Sequence, residues 1–176
     1  QLGQLVAFGV DEIVDVPTIY DVSMIYEGFA GRLYAASIND VVQLSSPSGP
    51  IEQRITPAEG VHYITSPEIA LSADRRTLYV AGAFFAENFA SRTAIARYDI
   101  STEVPVLLQR VEIPAPNALF TLSPKDDSIY IRLGQYDGSG RHSVHRTVCL
   151  SAQDLTVKKG ELAYVGTAGP LTISPD

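Results

Sequence analysis

Residues 71–82 read LSADRRTLYVAG, a polar group of five residues between two apolar stretches. We interpret it as a tight turn that joins two strands. Ser72 and Asp74 carry side chains that can accept hydrogen bonds from backbone N–H groups within such a turn. The residues after the turn, 77–82, are mostly β-branched, aromatic or small, as in a buried strand. The stretch therefore predicts a strand, a turn and a second strand.

The same phrase recurs along the chain. It returns as LSPKDDSIYIRL at 122–133 and begins again as ISPD at 173–176, so that its serines, Ser72, Ser123 and Ser174, stand at intervals of 51 residues. Such a fixed period indicates a repeat architecture.

Other parts of the repeat follow the same spacing. Tyr79 and Tyr130 each lie seven residues after their serine, and Tyr34 lies 45 residues before Tyr79. In the second half of the unit, residues 95–99 fall opposite residues 146–150. Each unit holds four candidate strands bounded by turn residues, without a sustained helical period. Four-stranded antiparallel units of about 40–50 residues are typical of β-propeller blades.

We therefore predict an all-β fold, with residues 1–176 forming one portion of a β-propeller. Its three four-stranded blades are expected at about 18–56, 66–113 and 117–164, with a lone outer strand at 4–13 before them and the inner strand of a further blade at 168–174. Propellers close with about four to eight blades, so the fragment is expected to be about half of a seven- or eight-bladed propeller. An open three-bladed monomer is the alternative.

A completing partner is expected because an open propeller exposes strand edges and apolar blade faces. That partner is either a second chain or the remainder of the same polypeptide. Within the fragment, seven apolar residues on inner strands or blade interfaces are predicted to be mostly buried: Leu33, Leu71, Leu78, Val80, Leu122, Ile129 and Ile131.

The phrase at 71–82 resembles the repeat of the YVTN-type β-propellers, which runs Leu-Ser-Pro-Asp-Gly-Arg-Thr-Leu-Tyr-Val. Residues 122–131 and 173–176 resemble it more loosely. The family that the phrase resembles includes lactonase-like enzymes, propeller subunits of periplasmic dehydrogenases, surface-layer or cell-surface proteins, and many proteins with no assigned role. It implies a secreted or periplasmic protein, with the cytoplasm left open. The absence of Trp argues against the WD40 class of propellers.

Composition narrows the possible partners. The chain has 176 residues, of which 45% are hydrophobic and 19% are charged, as in a globular domain. Its net charge of −7, without a basic run, argues against nucleic acid or an anionic membrane as partner. No stretch approaches the roughly 18 apolar residues of a membrane helix. Cys149 is the only cysteine, which excludes an intrachain disulfide and a multi-cysteine zinc site; its apolar neighbours predict a packed thiol.

Candidate site residues lie in loops that gather at one end of a propeller channel. The loop at 134–143 contains Tyr136, Asp137, Arg141 and His142, which could bind an anion or a metal. Residues 137–140 of this loop read Asp-Gly-Ser-Gly, a sequence that is also typical of a solvated hairpin loop.

A second group lies in and after the long loop at 56–66. Glu59, His62 and Glu68 could supply carboxylates and an imidazole for metal binding or acid–base chemistry. Loop extensions are also commonly without function, so both interpretations stay open.

The remaining candidates are Glu87, Asn88 and Arg92 in the loop at 84–92, and Asn117 at the entry to the third blade. The sequence contains no nucleophile elbow, phosphate-binding loop or zinc-protease motif. It therefore assigns no catalytic residue, no metal site and no cofactor.

The sequence favours a binding or interaction scaffold that holds a ligand or partner at its rim loops. One alternative is a lactonase-like hydrolase or isomerase with a channel site and a possible divalent cation. Another is a structural subunit of a propeller-containing dehydrogenase. Fold alone does not decide between these functions.

Overall fold

The computed structural model describes residues 4–5, 14–15, 24–37, 39–44, 51–56, 61–64, 67–86, 91–113, 118–122, 128–136 and 143–165. Within these ranges the regular structure is β-strand, apart from one 3-10 turn at Phe29–Gly31. The all-β prediction is confirmed.

A short antiparallel pair, β1 (Gln4–Leu5) and β2 (Val14–Asp15), comes first in the chain. The sequence predicts a lone outer strand at 4–13, whereas Gln4–Leu5 is paired within the chain. Alternation of polar and apolar residues predicts an extended strand but does not identify its neighbour. Residues 6–13, and the strand predicted at 168–174, lie outside the described residues.

Three four-stranded antiparallel sheets follow, and each is ordered as in the sequence. The first contains β3 (Met24–Glu27), β4 (Leu33–Ala36), β5 (Val41–Leu44) and β6 (Ile51–Ile55). The second contains β7 (Glu68–Leu71), β8 (Thr77–Phe85), β9 (Ser91–Asp99) and β10 (Val106–Ile113). The third contains β11 (Ala118–Leu122), β12 (Ser128–Tyr136), β13 (Ser143–Ser151) and β14 (Val157–Val165).

Strand β8 is buried on both of its faces. Residues 78–84 are all buried. Because alternate side chains in a strand point to opposite faces of the sheet, this unbroken burial means that both faces are covered. Leu78 and Val80 pack in a core shared with the first sheet, and Tyr79 and Ala81 pack in a core shared with the third. The second sheet therefore joins its two neighbours.

The turn at 72–77 has the hydrogen bonds that the sequence predicts. The Thr77 N–H donates to Ser72 Oγ over 2.9 Å, and the Arg76 N–H donates to Asp74 Oδ1 over 3.1 Å. The Ser72 hydroxyl also donates to Asp74 Oδ1, over 2.6 Å. Arg75 has a φ of 58°, a left-handed conformation that the dense hydrogen bonding of the turn supports.

The repeat differs from its sequence alignment by one residue in the third strand of each unit. An interval of 51 places Arg97 opposite Val148. In the structure, Tyr79 pairs with Arg97 and Tyr130 pairs with Cys149, an interval of 52. The β12–β13 connection is one residue longer than the β8–β9 connection. A shift of one residue moves a side chain to the other face, so this prediction is corrected.

Each outer strand carries an irregularity in its pairing. The register shifts in the β5–β6, β9–β10 and β13–β14 ladders. Bulges bend and twist an edge strand and so hinder its pairing with another chain. The outer edges of the sheets are therefore modified at comparable positions.

The burial predictions are confirmed at the centre of the stack. Leu78, Val80, Ile129 and Ile131 are fully buried. Two others are only partly buried, because they stand at strand ends: Leu33 begins β4 and Leu71 ends β7. The side chain of Leu122 is outside the description. Cys149 is a buried free thiol, as predicted.

Replacing Leu78 by Ala should cost about 2–5 kcal/mol of unfolding free energy, because the side chain is 0% exposed and its removal leaves a cavity. Urea unfolding measures this loss. The control is Leu107→Ala, at a position 51% exposed, which should change stability by no more than about 0.5 kcal/mol. Equal unfolding midpoints for both variants would show that the register of β8 is wrong.

Asp74→Asn should lower stability at neutral pH and have less effect in acid. The Ser72 hydroxyl and the Arg76 N–H hold the pKa of Asp74 below its ordinary value of 3.8 in the folded protein. The stabilisation is therefore present above that value and is lost as the pH falls through the folded-state pKa. The test is the free energy of unfolding of Asp74→Asn and of the parent protein at about pH 7 and about pH 2. Glu103→Gln, at an exposed position, is the control. A difference in unfolding free energy between Asp74→Asn and the parent protein that is the same at both pH values would contradict the prediction.

Candidate functional site

The segment 61–64 connects the ends of the first two sheets. The Tyr63 N–H donates to the Asn39 carbonyl in the β4–β5 turn over 3.0 Å, and the Ile64 N–H donates to the Ala83 carbonyl in β8 over 2.7 Å. Tyr63 also forms an isolated antiparallel bridge with Phe84. The segment is therefore fixed by backbone hydrogen bonds to both sheets.

The Tyr63 ring is 2% exposed and lies against Gly82. A Cβ at Gly82 would stand 2.8 Å from Tyr63 Cε1, which is closer than two carbon atoms can pack. Burial raises the pKa of Tyr63 far above its ordinary value. The absence of a side chain at Gly82 therefore leaves the space beside β8 that the Tyr63 ring fills.

The neighbouring residue, His62, belongs to a polar cluster centred on Asp40. Asp40 Oδ2 accepts from Arg54 Nη1 over 2.9 Å, and Asp40 Oδ1 lies 2.8 Å from His62 Nδ1. The carboxylate side chain is 8% exposed, whereas those of Arg54 and His62 are 55% and 61% exposed. A carboxylate only accepts, so Nδ1 carries the proton and Nε2 is the nitrogen that Asp40 does not use.

A second cluster of charged side chains links β10 to β9. Arg92 Nη1 lies 3.2 Å from Glu112 Oε2, and Arg110 forms an ion pair with the same carboxylate. The Arg110 guanidinium also stacks 5.4 Å from the centroid of the Phe84 ring. Arg92, a predicted site residue, is therefore held in a contact within its own sheet.

His62 and Glu68, predicted to act together, have different described contacts. The described hydrogen bond of His62 runs to Asp40 on the first sheet. Glu68 begins β7 and pairs with Ala81 across the ladder. Glu68 is half-buried, and desolvation raises the pKa of its carboxyl group.

The remaining predicted site residues stand at the end of a strand or outside the described part of the chain. Tyr136 ends β12, where its backbone pairs with Ser143. The following predicted residues lie outside the described part of the chain: Glu59, Glu87, Asn88, Asn117, Asp137, Arg141 and His142.

Sequence reasoning missed Asp40 and Arg54. Asp40 stands just before a strand, where Asp is common for turn geometry alone. Arg54 follows Gln53 as Arg110 follows Gln109, a parallel that marks the two arginines as equivalent but does not identify their partners. The cluster depends on a loop that returns to an earlier turn, which local patterns do not reveal.

Within the described ranges, no three His, Cys, Asp or Glu side chains are grouped so as to hold a metal ion. The same residues include no helix with the length and apolar character needed to cross a membrane.

The fold and the cluster define a class: an all-β protein of stacked four-stranded sheets, with a buried carboxylate that holds two exposed basic side chains, Arg54 and His62. Comparison with protein-family models, with curated proteins and with solved structures finds no match to this chain.

Proposed function

We propose that the chain is part of a β-propeller that acts as a binding scaffold. Its ligand or partner would be held by the loops at the end where Asp40, Arg54 and His62 lie. The fold supports a propeller because the second sheet packs one face on the first sheet and the opposite face on the third. Such face-to-face succession is what propeller blades require.

Contacts between the sheets also follow a repeated rule. Gln43 and Arg97 occupy equivalent positions, since they pair with Tyr34 and Tyr79. Gln43 Nε2 donates to the Glu103 carbonyl over 3.0 Å, and Arg97 Nη1 contacts the Ala152 carbonyl over 3.4 Å. In each case the acceptor lies between the third and fourth strands of the next sheet.

These repeated contacts support the proposal that a further sheet packs on the third one. In the third sheet, Tyr130 and Cys149 hold the register positions that Tyr79 and Arg97 hold in the second. If each sheet contacts the next through these positions, a further four-stranded sheet would pack against Tyr130 and Cys149. It would come from the remainder of the same polypeptide or from a second chain. A secreted or periplasmic location is proposed from the repeat resemblance alone.

The observation that carries the scaffold function is the double use of Asp40. One oxygen bonds Arg54 on the first sheet, and the other bonds His62 in the connecting segment. Together with the backbone bonds of Tyr63 and Ile64, this fixes residues 61–64 to both sheets. A segment held in this way presents a preorganised surface, which reduces the entropy cost of binding.

A lactonase-like hydrolase is the second candidate, and the Asp40–His62 contact favours it. A carboxylate that orients an imidazole through Nδ1 leaves Nε2 as a possible general base. The dyad has no serine or cysteine nucleophile among its described hydrogen-bond partners, which is why the scaffold is preferred.

The two functions are separated by assaying the purified protein on a panel of lactones, with and without divalent cations. We expect hydrolysis no faster than in buffer. The assay includes His62→Gln and, as a control histidine, His145→Gln. Turnover that His62→Gln abolishes and His145→Gln retains would overturn the scaffold and establish the hydrolase.

A further inference from the structure

The Asp40 cluster has its carboxyl group inward and its two basic side chains outward. The carboxylate is almost fully buried, whereas more than half of each basic side chain, Arg54 and His62, is exposed. With His62 protonated, the cluster carries one negative and two positive charges. The surface that it presents is therefore that of a monocation.

The two exposed side chains are also fixed in place. Arg54 and His62 bond different oxygens of the same carboxylate, so both side chains are anchored at one carboxyl group. Arg54 commits Nη1 to Asp40 and retains other N–H groups, and protonated His62 carries an N–H at Nε2. Because both are held in advance, a ligand would lose less side-chain freedom on binding.

We propose that Arg54 and His62 bind a monoanionic carboxylate, received by the guanidinium and by the Nε2–H of the imidazole. The inference rests on the proposed scaffold function and names the ligand class of that site. A carboxylate matches both the net charge and the fork geometry of Arg. A divalent cation would be repelled by Arg54, and a dianion would exceed the local charge.

Binding should depend on pH, because Nε2 donates only when the imidazole is protonated. Among the described residues, the charged or titratable groups around His62 are Asp40 and Arg54, with Tyr63 beside it in the chain; Arg110 and Tyr98 act on Tyr63. Histidine is the side chain that generally changes charge between about pH 5 and 8. We therefore expect acetate to bind several-fold more tightly at about pH 5.5 than at about pH 7.5.

The test is an NMR titration of the whole chain with sodium acetate at constant ionic strength, following the side-chain signals of His62 and Arg54. Phosphate and sulfate form parallel arms. Arg54→Gln and His62→Gln should each weaken acetate binding at least fivefold, and His62→Gln should also remove its pH dependence. Arg75→Gln is the matched control, since Arg75 is 60% exposed against 55% for Arg54 and lies in the turn before β8.

The source of the carboxylate is distinguished by adding a short peptide with one glutamate and its glutamine counterpart. Tighter binding of the glutamate peptide than of acetate supports an acidic side chain of a partner, and acetate binding alone supports a small carboxylic acid. The proposal is overturned if phosphate or sulfate binds more tightly than acetate, if no signal shifts saturably, or if Arg75→Gln weakens binding as much as Arg54→Gln. Lactone turnover would refute the scaffold without bearing on this titration, so the two failures are distinct.

Discussion

The structure depends on one constraint: the middle strands of the second sheet must bury both of their faces at once. Leu78 and Tyr79 are neighbours in the chain, yet they belong to two different cores. A shift of one residue in this strand would exchange the two sets of side chains. The two faces carry different partners, so the register of β8 fixes the positions of both neighbouring sheets.

Burial of both faces also determines where polar chemistry can occur. Polar and charged groups are costly inside such a stack unless they are paired. Charged groups are therefore favoured at the ends of the sheets, where connections pass from one sheet to the next. Among the described residues, Asp40 is the one charged residue that is buried, and it has two partners. The candidate site thus lies beside the segment 61–64 that is bonded to both of the first two sheets.

The sequence predicted best what depends on local chemistry. Ser72 and Asp74 determine their turn through bonds that span at most five residues, and apolar runs identify the buried strands. Local patterns could not predict the register of β13, because one added loop residue shifts it relative to β9. Nor could they place His62 on Asp40, 22 residues away, since that contact requires the first two sheets to be packed.

Amide hydrogen exchange tests the central claim most directly, because protection follows the free energy of opening each strand. If β8 is the doubly buried centre of the stack, the amides of residues 78–84 should be among the slowest to exchange. Those of 106–108, in an outer strand whose side chains are exposed, should exchange at least about a hundredfold faster. Similar rates in the two segments would contradict the arrangement of three sheets around β8.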